Sequence, residues 1–120
     1  NALTTTAVVV INVPLVWGVD LVAIYLARFA AIGFGLIALY LSVINALVHI
    51  ATAVRFRGYN PGLATAVVLF LPVGVWGIVT VGRLPGVTRG YHALGLGLAL
   101  AVHVAIAVHV MRRALRPAAG

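Results

Sequence analysis

The sequence predicts an all-α protein, a bundle of four transmembrane helices, from its composition and from the length of its apolar runs. Hydrophobic residues fill 64% of the 120 positions, charged residues fill 8%, and the mean hydropathy is +1.21. A soluble domain of this size needs far more charged surface. Four runs approach the roughly 20 apolar residues that cross a bilayer as a helix, and a helix satisfies its own backbone hydrogen bonds in hydrocarbon.

The four predicted helices cover residues of about 5–26, 30–54, 61–82 and 90–113, in a single membrane domain over residues 1–120. Only Asp20 interrupts the first run, and arginines bound the others. The chain begins at Asn1, and its first residues lack the basic start and the cleavage site of a signal peptide. We therefore expect a fragment that lacks an upstream helix.

Capping and turn residues mark the connections between these helices. Asn60 and Pro61 have the pattern of an N-cap followed by a proline in the first turn, which predicts that the third helix begins there. Thr88 is placed to cap the fourth helix. Pro72 lacks a backbone N–H, which predicts a kink in the third helix. Only Arg28 marks the turn between the first two helices.

The basic residues flank the spans. All eight are arginines and the formal net charge is +7, but they do not form the continuous basic stripe of a nucleic-acid surface. We expect a lipid bilayer as partner and no nucleic acid, since arginines at span ends meet anionic headgroups. The arginine counts predict a cytoplasmic C-terminus. The 2–3 loop and C-terminus carry Arg55, Arg57, Arg112, Arg113 and Arg116, against Arg28, Arg83 and Arg89 in the other two loops.

Two recurring segments raise the hypothesis of two similar helical hairpins. Residues 6–9 read Thr-Ala-Val-Val and lead to Val-Trp-Gly at 16–18, and residues 65–68 lead to 75–77 in the same way. Residues 48–54 also resemble residues 102–108. Helices 1–2 would then repeat as helices 3–4, related by an axis along the membrane normal. Chance matching of Ala/Val-rich spans is the alternative.

Small residues recur at every fourth position of the fourth helix, at Ala93, Gly97, Ala101 and Ala105. Such a row lets a neighbouring backbone approach closely. We expect this neighbour to be a helix of the same chain rather than a second copy. A homo-oligomer or another membrane partner stays open.

Polar side chains inside the spans form the candidate polar site, because they are costly in hydrocarbon. Asn45, His49 and Thr52 lie four and three residues apart, on one face of the second helix that should point into the bundle. A purely structural hydrogen-bonded patch is the alternative. Asp20, the only acid, is the fourth candidate, and an ion pair with an arginine near the 1–2 loop is its alternative.

The histidines suggest a haem hypothesis. If the hairpins repeat, His49 and His103 lie at similar depth on two helices and could be the axial ligands of a haem iron. Hydrogen-bonded packing histidines are the alternative. The sequence identifies no other cofactor and no nucleophile–base arrangement, so cofactor and enzymatic activity stay unknown.

The middle of the chain resembles a known family. Residues 45–49 read Asn-Ala-Leu-Val-His, residues 57–66 read Arg-Gly-Tyr-Asn-Pro-Gly-Leu-Ala-Thr-Ala, and Leu-Pro follows at 71–72. This run, with its turn of Tyr59, Asn60, Pro61 and Gly62, resembles the HXXEE family of bacterial membrane proteins over about residues 45–77. The resemblance implies a small helical bundle in a bacterial inner membrane.

One departure from the family pattern concerns the motif that names it. The His-x-x-Glu-Glu motif is absent, because the chain has no Glu. In the family this motif lies upstream and puts His and Glu on one helical face, which suits metal ligation. The resemblance therefore implies that a helix outside this sequence faces Asn45 and His49, with His49 as a metal ligand.

Three classes of function follow. The first is a membrane bundle with a polar or metal centre that upstream residues complete, which includes an enzyme. The second is a structural or partner-binding membrane subunit, which is consistent with the small number of polar side chains in the spans. The third is a b-type haem protein or a transporter of small solutes.

Overall fold

A computed structural model of the chain describes residues 11–60 and 62–116, and this part contains four helices and no strand. Helix α1 begins as a π-helix at Ile11–Trp17 and continues as an α-helix over Gly18–Phe29. A 3₁₀ turn at Ile32–Phe34 leads into α2, Gly35–Phe56. Helix α3 comprises Leu63–Thr65, the π-helical Ala66–Phe70 and Leu71–Gly82, and α4 is Arg89–Ala114. The prediction of an all-α fold is confirmed.

Three of the helical segments, Ile32–Phe56, Leu63–Gly82 and Arg89–Ala114, are long and apolar enough to cross a membrane. Large apolar side chains lie on their outer faces, and Val68 and Trp76 are 76% and 69% exposed. Lipid is the solvent that such a surface requires. The chain is therefore a helical membrane protein. The first predicted span begins outside the described residues, and α1 as a fourth span stays a prediction.

Helix α2 is the central helix, and it packs against α1, α3 and α4. Glycines make these contacts close. A Cβ added to Gly95 of α4 would lie 3.0 Å from the carbonyl oxygen of Leu36, and one added to Gly74 of α3 would lie 2.5 Å from Cγ2 of Val43. Small residues at such contacts let membrane helices approach at backbone distance. The buried apolar residues of the described part are Ala23, Leu36, Ile37, Leu41, Ala46, Ala66, Ala99 and Val102.

The two π-helical stretches accompany the prolines of α1 and α3. Pro14 lies inside the first stretch, and Pro72 follows the second after one residue. A proline removes one N–H from the helical ladder, and a wider π turn re-pairs the neighbouring groups. The irregularity expected at Pro72 is thus a change of winding in the preceding turn. Whether the two hairpins are repeats stays a prediction.

The helix ends differ from the sequence-based expectation at two places. Helix α3 begins at Leu63, and its N-cap is Gly62 with no side-chain capping bond. The prediction that Asn60 caps α3 was wrong, because its amide binds groups of α2 instead. Helix α1 continues to Phe29, so Arg28 lies inside its last turn and not in the connection.

The row of small residues on α4 faces outwards and not towards a neighbouring helix of the described part. Its four members are exposed, and a Cβ added to Gly97 would meet no atom within 4 Å. The helix instead contacts α2 through Gly95, Ala99 and Val102, which are buried. The expectation that the row Ala93, Gly97, Ala101 and Ala105 packs within the chain was therefore wrong for the described residues.

Candidate functional site

Polar side chains from three helices line one partly open cavity. Its volume is about 710 Å³, and it lies between α1, α2, α4 and the first part of α3. Most of its wall is apolar, which suits a largely apolar occupant. The polar side chains that line it are Asp20, Ser42, Asn45, His49, Thr52 and His103. The candidate residues of the sequence analysis thus share one cavity.

The polar lining of α2 forms a stripe along one helical face. Ser42, Asn45, His49 and Thr52 follow one another at spacings of three, four and three residues. Such spacings keep side chains on one face, and ten residues of helix extend over about 15 Å. The stripe therefore reaches from the middle of α2 towards its C-terminal end.

The neighbouring helices show that the cavity occupies one half of the bundle. Helix α4 runs parallel to α2, since Gly95 contacts Leu36 near the start of both, and it lines the cavity with residues 103–111. The C-terminal ends of α2 and α4, where Arg55 and Arg112 lie, are thus at the same end. The cavity extends from the centre of the bundle towards this arginine-bearing end.

His49 is held in one orientation by the loop between α2 and α3. Its Nδ1 lies 2.7 Å from Oδ1 of Asn60, and Nδ2 of Asn60 donates to the His49 carbonyl oxygen at 2.9 Å and to Oγ1 of Thr52 at 3.2 Å. Because the amide nitrogen is used as a donor, Oδ1 must accept a proton from Nδ1–H. The Nε2 atom of His49 therefore carries the free lone pair.

Gly62 completes the support of this imidazole. Its φ is +90°, a conformation that glycine adopts without strain. A Cβ at this position would lie 3.1 Å from Cε1 and 3.3 Å from Nε2 of His49. Asn60 and Gly62, from the run that carries the family resemblance, thus both contact His49: Asn60 through its side chain, and Gly62 through a close approach that the missing Cβ allows.

His103 is fixed in the same tautomer by its own helix. Its Nδ1 lies 2.8 Å from the carbonyl oxygen of Ala99, one turn earlier. A carbonyl oxygen only accepts, so Nδ1 carries the proton and Nε2 has the free lone pair. Neither Nε2 atom has a hydrogen-bond donor among the described residues.

Asp20 lies on α1, one turn after Trp17, and both residues line the cavity. Its Oδ1 atom is buried and has no hydrogen-bond partner among the described residues. The alternative of an ion pair with an arginine near the 1–2 loop does not account for this oxygen. A buried carboxyl oxygen without a partner is costly, and the contacts of the described residues do not offset that cost.

A second polar contact lies at the other end of α2. The hydroxyl of Tyr40 is 2.8 Å from Nδ1 of His92. A Cβ added to Gly82 would lie 3.0 Å from Cε1 and Nε2 of His92, so glycine leaves room for this imidazole. The adjacent groove between α1, α2 and α4 has a volume of about 530 Å³ and an apolar lining that includes Leu26 and Leu98. In the described part, the polar lining of the cavity does not continue into this half.

No three His, Asp, Glu or Cys side chains in residues 11–60 and 62–116 come together as a possible metal site. The metal hypothesis for His49 and the haem hypothesis for His49 and His103 therefore stay predictions. The sequence analysis did not identify Ser42 as a lining residue, nor the hydrogen bonds between Asn60 and His49. The spacing of Ser42 from Asn45 was visible, but the partner of Asn60 depends on a loop that folds back onto α2.

The comparisons with known proteins identify the family. Residues 2–77 match the family described as "Protein of unknown function with HXXEE motif". This match covers more than half of the chain, and the chain belongs to that family. No curated protein and no solved structure matches the chain. The resemblance stated from residues 45–77 is confirmed, and the family description leaves the activity open.

Proposed function

We propose that this HXXEE protein binds a membrane-soluble small molecule, with an apolar body and one polar group, inside the bundle. The observation that carries the proposal is the cavity of about 710 Å³, at which Asp20, Asn45, His49 and His103 converge from three helices. Ligand sites are typically cavities of 300–1,000 Å³, roughly, with apolar walls and a few convergent polar groups.

His49 gives the site a proton acceptor. Asn60 holds Nδ1–H, so the Nε2 lone pair is free to accept a proton or a hydrogen bond from the bound molecule. The fixed tautomer is the arrangement of a general base or of a metal ligand whose other nitrogen is anchored. We propose that His49 contributes to a polar or metal centre in this cavity.

The polar lining favours binding from one side over transport across the bundle. It covers the half nearest the arginine-bearing end, and the neighbouring groove, which runs along α1 from Pro14 to Leu26, has an apolar lining. A path for a polar solute needs polar or hydrated groups along its whole length. The proposed ligand therefore enters one half of the bilayer and stops near its middle.

Native mass spectrometry of the detergent-solubilised protein tests the proposal. Ala107→Phe fills the cavity from α4, and Ala105→Phe adds the same group to an exposed position outside it. We expect a bound membrane molecule on the wild type and on Ala105→Phe, and its loss from Ala107→Phe. An unchanged mass spectrum for Ala107→Phe would contradict binding in this cavity and favour a partner-binding subunit.

A b-type haem protein is a second candidate, for one reason. His49 and His103 both line the cavity, and both have Nδ1–H bound to an oxygen acceptor, as ligating histidines do. Expression with added haem tests it. A Soret band that His103→Ala removes would support haem, and a colourless wild-type protein would contradict it.

We also propose that the protein lies in a bacterial inner membrane with its C-terminus in the cytoplasm. The excess of arginines at the C-terminal ends of α2 and α4 supports this orientation. The chain has no native cysteine, so Ala114→Cys introduces a single label site. We expect an impermeant maleimide to label it only after the membrane of intact cells is opened; labelling beforehand would reverse the orientation.

A further inference from the structure

We infer that the ligand of the cavity carries a protonated amine, which Asp20 neutralises. The inference rests on the proposed function and names the chemical class of the ligand. It follows from the hydrogen-bonding character of the lining, from the position of the only acid in the chain, and from the aromatic residues beside that acid.

The cavity offers mainly hydrogen-bond acceptors. His49 and His103 present Nε2 lone pairs, because their Nδ1–H groups are used by Asn60 and by the Ala99 carbonyl. The hydroxyl of Ser42 donates to the Ala38 carbonyl oxygen, and this leaves its own lone pairs available.

Few donors balance these acceptors. The hydroxyl of Thr52 donates to carbonyl oxygens of its own helix. Among the lining residues of the described part, the side-chain N–H groups of Asn45 and Trp17 are therefore the donors left for a ligand. A ligand whose head group donates several hydrogen bonds fits this lining better than one that accepts them.

The negative charge of Asp20 also favours a ligand with a cationic group. Asp20 is the only acid in the chain, and its buried Oδ1 lacks a partner among the described residues. An isolated carboxylate is costly in a low-dielectric site, and a cation beside it offsets that cost. The arginines lie at the helix ends, where salt screens their charge over about 10 Å. They therefore oppose a cation at Asp20 only weakly.

Aromatic side chains complete the amine site. Trp17 precedes Asp20 by one helical turn on the same face, and Phe70 of α3 also lines the cavity. A cation over the face of an indole or phenyl ring is attracted by the ring quadrupole, most strongly where water is excluded. A carboxylate with two aromatic rings is the combination that recognises an ammonium group with an apolar tail.

Tryptophan fluorescence measures this directly. The chain has two tryptophans, and Trp76 is exposed on α3, away from the cavity. Trp76→Phe leaves Trp17 as the reporter of the cavity, and Trp17→Phe leaves Trp76 as the control for simple partitioning into lipid. Both variants are reconstituted in nanodiscs of uncharged lipid and titrated with dodecylammonium, dodecanol and dodecanoate, which share one tail and differ in the head group.

We expect a saturable change of Trp17 fluorescence with dodecylammonium at a concentration about tenfold or more below that needed with dodecanol, as for a charge-assisted hydrogen bond. Asp20→Asn in the Trp76→Phe background should abolish this preference while dodecanol still binds. Equal or tighter binding of dodecanol or dodecanoate, or a preference that survives Asp20→Asn, would overturn the amine assignment alone. If none of the three gives a saturable change at Trp17, the proposed ligand-binding function fails with it.

Discussion

Replacement of Asn60 by Ala is expected to free His49 and to lower the stability of the bundle by about 2 kcal/mol. The change removes contacts of 2.7, 2.9 and 3.2 Å to the His49 ring, the His49 carbonyl and the Thr52 hydroxyl. Each such bond contributes about 0.5–1.5 kcal/mol net. The site is only half-buried, so water replaces part of the loss, and the total falls to about 2 kcal/mol.

Two measurements test this, with Asn45→Ala as the matched control. Asn45 is also half-buried and lines the same cavity, but its amide makes no hydrogen bond to another described residue. Unfolding in mixed micelles, followed by circular dichroism, should show the loss for Asn60→Ala and less than about half of it for Asn45→Ala. Nitrogen-15 NMR of labelled histidine should show the Nδ1–H tautomer of His49 in the wild type, and a mixture in Asn60→Ala. Equal stabilities, or a wild-type Nε2–H tautomer, would refute the role given to Asn60.

Two further predictions compare glycines in matched pairs. Gly62→Ala and Gly86→Ala both place a Cβ at positive φ, 90° and 82°, but only the first also meets His49, at 3.1 Å. Both should lose about 1–2 kcal/mol of unfolding free energy, and only Gly62→Ala should change the histidine NMR spectrum; a changed spectrum in Gly86→Ala would contradict this. On α4, Gly95→Ala brings a Cβ to 3.0 Å from the α2 backbone and should destabilise the bundle in the same unfolding assay. Gly97→Ala meets no atom within 4 Å, so it should stabilise the bundle by up to about 1 kcal/mol, because Ala favours the helix more than Gly does. A reversed order of the two would contradict the helix contact.

The fold could be predicted from the sequence because lipid imposes strong constraints on composition and on segment length. The connection between α1 and α2 was poorly predicted, since no proline marks it and the chain turns through Ala30 and Ala31, whose N–H groups both bind the Leu26 carbonyl. The contact face of α4 was also missed. Small residues occupy two parallel rows on this helix, and the sequence does not distinguish the row that meets α2 from the row that remains exposed.

The candidate site was predicted in part. The helical spacing of Asn45, His49 and Thr52 placed them on one face, and the structure shows them lining one cavity with Asp20. Asn60 was assigned to the wrong role, because Asn before Pro is typical of an N-cap and the competing acceptors on α2 lie about ten residues away. Such a contact depends on how the loop returns to the helix, which local patterns do not encode.

The convergence of α1 and α4 at the cavity is the central claim, and cysteine crosslinking tests it most directly. The chain has no native cysteine, so Asp20→Cys with His103→Cys provides one defined pair. Leu21→Cys with His103→Cys is the control, because Leu21 is 67% exposed and does not line the cavity. A short bifunctional thiol reagent should link the first pair within one chain in membranes and leave the control pair unlinked. Efficient linkage of the control pair alone would contradict a shared site for Asp20 and His103.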